Sequence, residues 1–422
     1  LRATQQNPSV LPAESLYAIE HDTMDTTFRS MYQGLYIYLS ARKERRDLLL
    51  SQRPPRFDES LDSMISRSED DFTRIALKAK AAQDYFLLIG PPGTGKTSCA
   101  LKKMVETFHA DKDAQILLLS YTNRAVDEIC KSLASIAPAV DFIRVGSELS
   151  CDEAYRGHLI ENELSSCNRR SEVYERIRNC RIIVGTVAAI SGKPELFRLK
   201  HFDVAIIDEA TQILEPQLLG ILCARGEDGK DAIDKFVLIG DHKQLPAVVQ
   251  QNTEQSAIYD ESLLSIGLTN LKDSLFERLY RNCTATVHRS YDMLCRQGRM
   301  HPEVALFANR AFYGGRLIPV GLPHQIESSD TICRLAFYPS VPEKAGASAK
   351  INYSEARIVA DLAVRIYEDH QADFDESRTL GIITPYRSQI ALIKKEIESV
   401  GIPVLNRILV DTVERFQGSE RD

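Results

Sequence analysis

Gly90-Pro-Pro-Gly-Thr-Gly-Lys96-Thr97 is the stretch on which the reading of this chain turns. Its spacing, G-x-x-x-x-G-K-[ST], is that of a loop built to hold phosphate. Just before it, Tyr85-Phe-Leu-Leu-Ile89 is an apolar run of buried-strand length, and just after it Thr97 to Phe108 reads as a helix. Strand, glycine-rich turn and helix in that order are the context the pattern needs. Glycines let backbone N–H groups turn inward around phosphate oxygens, and the start of the helix adds positive potential. Gly90, Pro91, Pro92, Gly93, Thr94 and Gly95 form the turn, and Lys96, Thr97 and Ser98 open the helix. Lys96 is placed to reach the β- and γ-phosphates of a nucleotide, and the Thr97 hydroxyl to bind Mg²⁺.

The rest of the composition sets bounds. With 422 residues, 44% hydrophobic and 26% charged, the chain has the make-up of a globular protein of two or three domains. A net charge of −7 speaks against a protein that coats nucleic acid, but leaves room for a local basic groove. Nine cysteines are scattered without a C-x-x-C pair, and the odd total argues against a disulfide framework, so reduced thiols in an intracellular setting are expected. No apolar stretch reaches membrane-spanning length, and there is no signal peptide. The first residue is Leu1 rather than Met, so a longer protein is expected.

Taken in order, residues 1–25 read as irregular. A helix is expected over 26–52, with Phe28, Met31, Leu35 and Leu39 recurring every three to four positions. Its end, Arg42-Lys-Glu-Arg-Arg46, reads as a solvated face, and Pro54-Pro55 stops it. Residues 56–70 read as a polar linker. From Asp71 apolar runs alternate with amphipathic segments. Strands are expected at 85–89, 115–120, 141–145, 181–185, 203–208 and 236–240, and helices at 96–109, 123–136 and 211–223. Continuous apolar strands separated by helices imply an α/β fold with a parallel sheet covered on both faces. The charged stretch 152–179 reads as a helical insertion. A second alternating set begins after residue 281, with strands at 332–338, 379–384 and 408–411 and helices at 354–369 and 386–399; 339–351 reads as an exposed loop. Two consecutive α/β halves, of which the first carries the loop, suggest two sheet domains facing each other across a cleft. The expected division is an N-terminal helical segment and linker over 1–70, a first domain over 71–280 with an insertion near 150–180, and a second over 281–422.

Three further stretches carry chemistry. Val204-Ala-Ile-Ile-Asp208-Glu209-Ala210 is an apolar strand ending in two acids, where ligands bind in such sheets. Asp208 would hold the metal, and Glu209 would polarise an attacking water. Phe236-Val-Leu-Ile-Gly240-Asp241-His-Lys-Gln244 is another strand running into a polar turn, whose Gln could sense a γ-phosphate. Ser120-Tyr-Thr122-Asn123 and Gly185-Thr186 put small polar residues at strand ends, suited either to nucleic-acid phosphate or to capping the next helices.

Together these runs resemble the superfamily 1 helicases, in the branch that holds senataxin and the nonsense-mediated-decay helicase. The resemblance rests on Gly90–Thr97, Ser120–Ile129, Val184–Ile190, Asp208-Glu-Ala-Thr-Gln212 and Leu238–Val249 in order. It continues through Ser274–Leu279, Arg299-Met-His-Pro302, Phe312-Tyr313, Thr384-Pro-Tyr386 and Phe416-Gln-Gly-Ser-Glu420, and covers roughly residues 72–422. It implies two tandem RecA-like domains with ATP and Mg²⁺ between them, and single-stranded DNA or RNA across the top, tracked 5′→3′. By this resemblance Arg299 reaches the γ-phosphate from the second domain, Gln244 couples nucleotide to domain closure, and Glu420 faces the nucleotide. Thr122, Asn123, Thr186, Thr384, Pro385, Tyr386 and Thr412 are the implied strand contacts.

The chain departs from that pattern in three places. The region before the loop, Glu69-Asp-Asp-Phe72, lacks the Gln that reads adenine, and Gly298 stands where an aromatic residue often precedes the arginine. Base recognition is therefore expected from Tyr85 or another ring, or to be loose. The sequence also stops inside the fifth motif, before a further arginine, from which slow hydrolysis is expected. A non-unwinding translocase and a catalytically weak nucleic-acid-binding module are the alternative readings.

Overall fold

Apolar runs too hydrophobic to face water on either side must be covered on both, and that requirement shapes the first part of the molecule. The computed structural model describes residues 27–249, 251–286, 288–326, 334–340, 350–416 and 421. The six expected runs form β1 (Tyr85–Ile89), β2 (Ile116–Ser120), β3 (Phe142–Val145), β4 (Ile182–Thr186), β5 (Phe202–Ile207) and β6 (Ile233–Gly240). A further strand, β7 (Tyr291–Met293), completes a seven-stranded sheet of order β3-β4-β2-β5-β6-β1-β7, with every pairing parallel. On one face Ile75, Met104, Phe108, Ile129 and Leu133 pack from the helices Asp71–Ala81, Lys102–His109 and Asn123–Ala134. On the other, Leu48, Leu218, Leu222, Phe276 and Leu279 pack from Lys43–Leu49, Glu215–Leu222 and Leu275–Thr286. The fold is α/β with a doubly covered parallel sheet.

Two short pairs come next, β8 (Arg296–Gln297) with β9 (Ile318–Pro319), and β10 (Gly381–Ile383) with β11 (Leu409–Asp411). The β10–β11 pair packs with the helices Tyr353–Asp369 and Arg387–Val400 around a small core that includes Ala356, Ile382, Ile393 and Val410. The expected division at 280/281 falls inside the helix Leu275–Thr286, and β7 beyond it belongs to the first sheet. The strand expected at 332–338 is absent over 334–338, and 332–333 lie outside the described residues.

Three smaller expectations change. The N-terminal helix is two, Thr27–Ser40 and Lys43–Leu49, because Arg42 is extended between them. The first does not pack through the apolar series, since Phe28 and Leu39 are exposed. It packs through Gly34, where a Cβ would lie 2.1 Å from the Pro216 carbonyl oxygen of the helix Glu215–Leu222. Arg45 is not on a solvated face: it is buried, and Nη2 donates to the carbonyls of Ile233 (2.5 Å) and Asp234 (3.0 Å). The linker over 56–70 contains the short helix Asp62–Arg67.

The connection into β1 is held electrostatically. Asp84, buried one residue before the strand, accepts Arg53 Nη1 (2.9 Å) and Nη2 (2.8 Å), Arg56 Nη2 (2.9 Å) and the Arg56 backbone N–H (2.7 Å). Burial would push its carboxyl up, but the two guanidinium groups outweigh that and hold it well below the usual carboxylate range. We expect Asp84→Ala to lower the unfolding free energy in urea titrations by about 1–3 kcal/mol, since it strands the partly buried Arg53 and removes the partner of the more exposed Arg56. Because the folded-state pKa lies below the unfolded one, the stabilisation is complete above the unfolded value and is lost as pH falls. The margin of the wild type over Asp84→Asn should therefore be full above about pH 4 and shrink below it.

Candidate active site

Sheet order decides what surrounds the phosphate loop. β1 lies between β6 and β7, so the loop leaving its C-terminal end is flanked by the segments that leave those two strands. On the β6 side the Gly90 N–H donates to the Gly240 carbonyl at 3.0 Å. On the β7 side Leu294 N–H donates to Ile89 O at 2.9 Å, and Gly298 N–H to Gly93 O at 2.9 Å. Within the loop, Thr94 is buried and its Oγ1 donates to Pro91 O at 2.7 Å, closing the turn that Pro92 and Gly93 round. Gly93 and Gly95 have φ of +74° and +76°, a region open to glycine at little cost. A Cβ on Gly93 would stand 2.5 Å from the Cβ of Arg299, so the loop and the arginine segment are in backbone contact. Ser98 is exposed on the first helical turn, Lys96–Leu101, which is wound as a π-helix.

The two acids sit where expected. Thr97 Oγ1 donates to Asp208 Oδ2 at 2.5 Å, and Lys96 Nζ lies 3.2 Å from Glu209 Oε1. Asp208 is fully buried at the end of β5. Burial first, and then the neighbouring Glu209 charge, raise its carboxyl above the usual range; Lys96 and Thr97 oppose this only in part. Glu209 has a left-handed backbone, φ +52°, uncommon for a residue with a side chain. That geometry turns its carboxylate toward Lys96, and Gln212 Nε2 donates to Oε2 at 3.1 Å. A buried carboxylate short of positive charge beside a hydroxyl, Asp208 and Thr97, offers oxygen donors that suit a hard divalent cation such as Mg²⁺.

Gln244 lies beyond β6 on the turn opened by Asp241. Asp241 is fully buried: Oδ1 accepts the Lys243 N–H (3.0 Å), and Oδ2 accepts Gln244 Nε2 (2.9 Å) and the Tyr313 hydroxyl (2.7 Å). Arg299, which the resemblance implied would reach in from the second domain, stands beside Gly93 on the turn that follows β8. The turn that carries it is shaped by Gln297, which sequence reasoning passed over. Its buried Oε1 accepts the N–H groups of Arg299 (3.0 Å) and Met300 (2.7 Å), and Nε2 donates to Met300 O (2.7 Å).

Tyr85 is misplaced as a nucleotide contact. It opens β1 at the end remote from the loop, buried, stacked on Phe236 at 5.5 Å, with its hydroxyl 3.2 Å from Cys283 Sγ. The ring beside the loop is Phe72, 3.5 Å from where a Gly95 side chain would begin. Glu420 lies outside the described residues.

The residues implied for nucleic acid fall in two sets, each at the C-terminal end of its strands. Thr122 lies just past β2 and Thr186 ends β4, and the register of the two strands pairs Ser120 with Thr186. Both are helix N-caps, Thr122 Oγ1 accepting from Ala125 N–H (3.2 Å) and Thr186 Oγ1 from Ala189 N–H (3.1 Å). Asn123 begins the helix that Thr122 caps. In the second set, Thr384 is buried and its N–H donates to Asp411 O at 3.1 Å; Pro385 and Tyr386 are exposed, and Thr412 comes directly after β11.

The fold and the loop define a P-loop NTPase. Two family models, each described as an AAA domain, match the chain: one (AAA_11) over residues 67–173 and 160–252, the other (AAA_12) over 271–422. The human DNA replication ATP-dependent helicase/nuclease DNA2 is 28% identical over 99% of this chain and 40% of its own length. The Arabidopsis thaliana DNA replication ATP-dependent helicase/nuclease JHS1 is 28% identical over 97% of this chain and 30% of its own. The Saccharomyces cerevisiae DNA polymerase alpha-associated DNA helicase A is 23% identical over 96% and 66%. A solved complex of the Arterivirus nonstructural protein 10 helicase with DNA is looser, at TM-score 0.32 and 15% identity over 60% of this chain and 45% of that one. The chain thus spans less than half the length of the first two relatives, and it belongs to the superfamily 1 helicases of the B branch.

The crowding at Gly93 is directly testable. Gly93→Ala places a Cβ against Arg299 at a left-handed position, and is expected to lower the unfolding free energy by about 1–3 kcal/mol in thermal or urea denaturation.

Proposed function

We propose that this chain is the motor core of an ATP-dependent helicase or translocase that moves 5′→3′ along single-stranded DNA or RNA. The observation that supports the reading is the backbone contact of the Arg299 segment with the phosphate loop, alongside the Thr97–Asp208 hydrogen bond and the Lys96–Glu209 ion pair. The family supports ATP as the fuel and nucleic acid as the track, and the branch supports the direction.

Bound MgATP would supply the γ-phosphoryl group whose transfer to water drives the cycle. Lys96 would leave Glu209 for the outer phosphates, freeing that carboxylate to orient and deprotonate a water. Thr97 and Asp208 would hold the metal, which relieves the charge deficit that burial imposes on Asp208. Arg299 would neutralise charge developing on the transferred group, a contribution worth about 10³–10⁵ in rate where arginines act this way. Closure around the nucleotide follows from its differential affinity for the closed state. With one set of strand contacts near Thr122 and Thr186 and another near Thr384 and Thr412, a closing and opening cycle moves one grip relative to the other.

Lys96→Ala should abolish nucleic-acid-stimulated ATP turnover while leaving single-strand affinity within about threefold, since the lysine contacts phosphate of the fuel rather than of the track. Equal loss of both would refute the assignment. Affinity for a single strand should fall linearly in a log–log plot against salt, with a slope of about −0.7 per phosphate contact. Displacement of a duplex with a 5′ overhang, and not of one with a 3′ overhang, tests direction.

A further inference from the structure

The Phe312-Tyr313 run is part of the sequence pattern, yet nothing in the reaction above uses it. Tyr313 ends the helix Pro302–Tyr313, which begins three residues after Arg299. Its ring is buried, and its hydroxyl donates to Asp241 Oδ2 at 2.7 Å. We propose that Tyr313 is a positioning residue that couples Gln244 to Arg299, by keeping the Asp241 carboxylate satisfied when Gln244 turns toward the γ-phosphate. The inference rests on the proposed function and adds to it how the γ-phosphate is sensed.

The argument is one of hydrogen-bond accounting. Asp241 is fully buried and, among the described residues, forms no ion pair; Lys243 N–H, Gln244 Nε2 and the Tyr313 hydroxyl compensate its charge. Gln244 and Tyr313 donate to the same oxygen, Oδ2. If Gln244 alone served that oxygen, its departure would strand a buried anion lone pair, a costly event away from water. With the phenol in place the carboxylate stays paired and the amide is free to move. Burial first, then the bond to Asp241 and its charge, raise the Tyr313 phenol above its ordinary value, so it remains a donor throughout the useful pH range.

The same bond ties two walls of the site together. One end of the segment is fixed by Gly298 N–H on Gly93 O at 2.9 Å, and the other by Tyr313 on Asp241. Between them lies a helix of 12 residues, about 18 Å long at 1.5 Å per residue. A rigid strut with both ends on the nucleotide site transmits a shift at Asp241–Gln244 to Arg299. Withdrawal of Arg299 likewise pulls on Asp241.

Tyr313→Phe removes only the hydroxyl and keeps the buried ring. The full chain, the Tyr313→Phe and Gln244→Ala variants and the double variant would be titrated with ADP and with a non-hydrolysable ATP analogue, both with Mg²⁺. We expect Tyr313→Phe to bind ADP within about twofold of wild type and the analogue about 10- to 100-fold more weakly, the span of a lost hydrogen bond to a charged group. The double variant should be no weaker than Gln244→Ala, because both act on one event. Unchanged analogue affinity, an equal loss for ADP and analogue, or multiplicative losses in the double variant would each overturn the coupling role. Failure of the wild type to bind either nucleotide would instead overturn the proposed function itself.

Discussion

The phosphate loop is gripped from both sides because β1 is an inner strand. Its ladder with β6 runs to Ile89–Gly240 and is extended by Gly90 N–H on Gly240 O at 3.0 Å. Its ladder with β7 runs to Ile89–Met293 and is extended by Gly298 N–H on Gly93 O at 2.9 Å. A loop free on one side would sample many conformations, and ordering it would cost about 1–2 kcal/mol per residue. Here the neighbours have met that cost before any nucleotide arrives. They also bring in the residues proposed for the chemistry, since β6 leads into Asp241 and Gln244 while the chain beyond β7 leads into Arg299.

The charges around the loop are held in tension rather than in balance. Asp208 is buried with its carboxyl pushed up, Glu209 keeps an unfavourable backbone, and Lys96 is borrowed by Glu209. A divalent ion would offset the charge on Asp208 and a polyphosphate would draw Lys96 away from Glu209, whereas the Glu209 backbone is held by the fold. Strain of this kind survives only where packing over-determines it. Asp208 N–H donates to Leu119 O at 2.8 Å, so the strained pair hangs directly from the β2–β5 ladder. Contrast Asp84, a buried acid at the opposite end of β1, which two arginines satisfy completely. One acid is fully paired within the fold; the other is left short of positive charge.

The first six strands of the sheet were legible because they are short, mostly apolar and bounded by glycine or polar turns, so periodicity and length sufficed. What sequence could not show is spatial order. β7, Tyr291-Asp-Met293, is three residues long, half-buried and contains an acid, and no pattern rule assigns it to an edge. Missing it left the expected domain division at 280/281, inside the helix Leu275–Thr286 and ahead of a strand that belongs to the first sheet. Tyr85 failed for a related reason. Being near the loop in sequence, it looked available, but a strand of five residues carries it to the far end of the sheet. Phe28, Met31, Leu35 and Leu39 had the right helical spacing, yet the helix packs by Gly34, where absence of a side chain allows close approach. Lys96, Thr97, Asp208 and Glu209 lie together at the loop, because strand ends in a parallel sheet converge on one edge.

That convergence also explains why the threonines at strand ends admit two readings. Thr122 and Thr186 spend their hydroxyls as acceptors for Ala125 and Ala189 N–H, which is what a helix start needs. A capping hydroxyl still has its own hydrogen to donate, and the orphan N–H groups of the first helical turn point outward from the same edge. The cap thus fixes the direction of donors that an anionic backbone can meet, so structural and binding roles reinforce each other. Thr384, at the end of β10, anchors its own turn by donating its N–H to Asp411 O at 3.1 Å, which leaves Tyr386 standing exposed beyond it. Both units therefore present polar residues at the C-terminal ends of their strands, through hydroxyl caps in the first and a backbone hydrogen bond in the second, and the proposed motor needs such an edge on each of two bodies if their relative motion is to shift a strand.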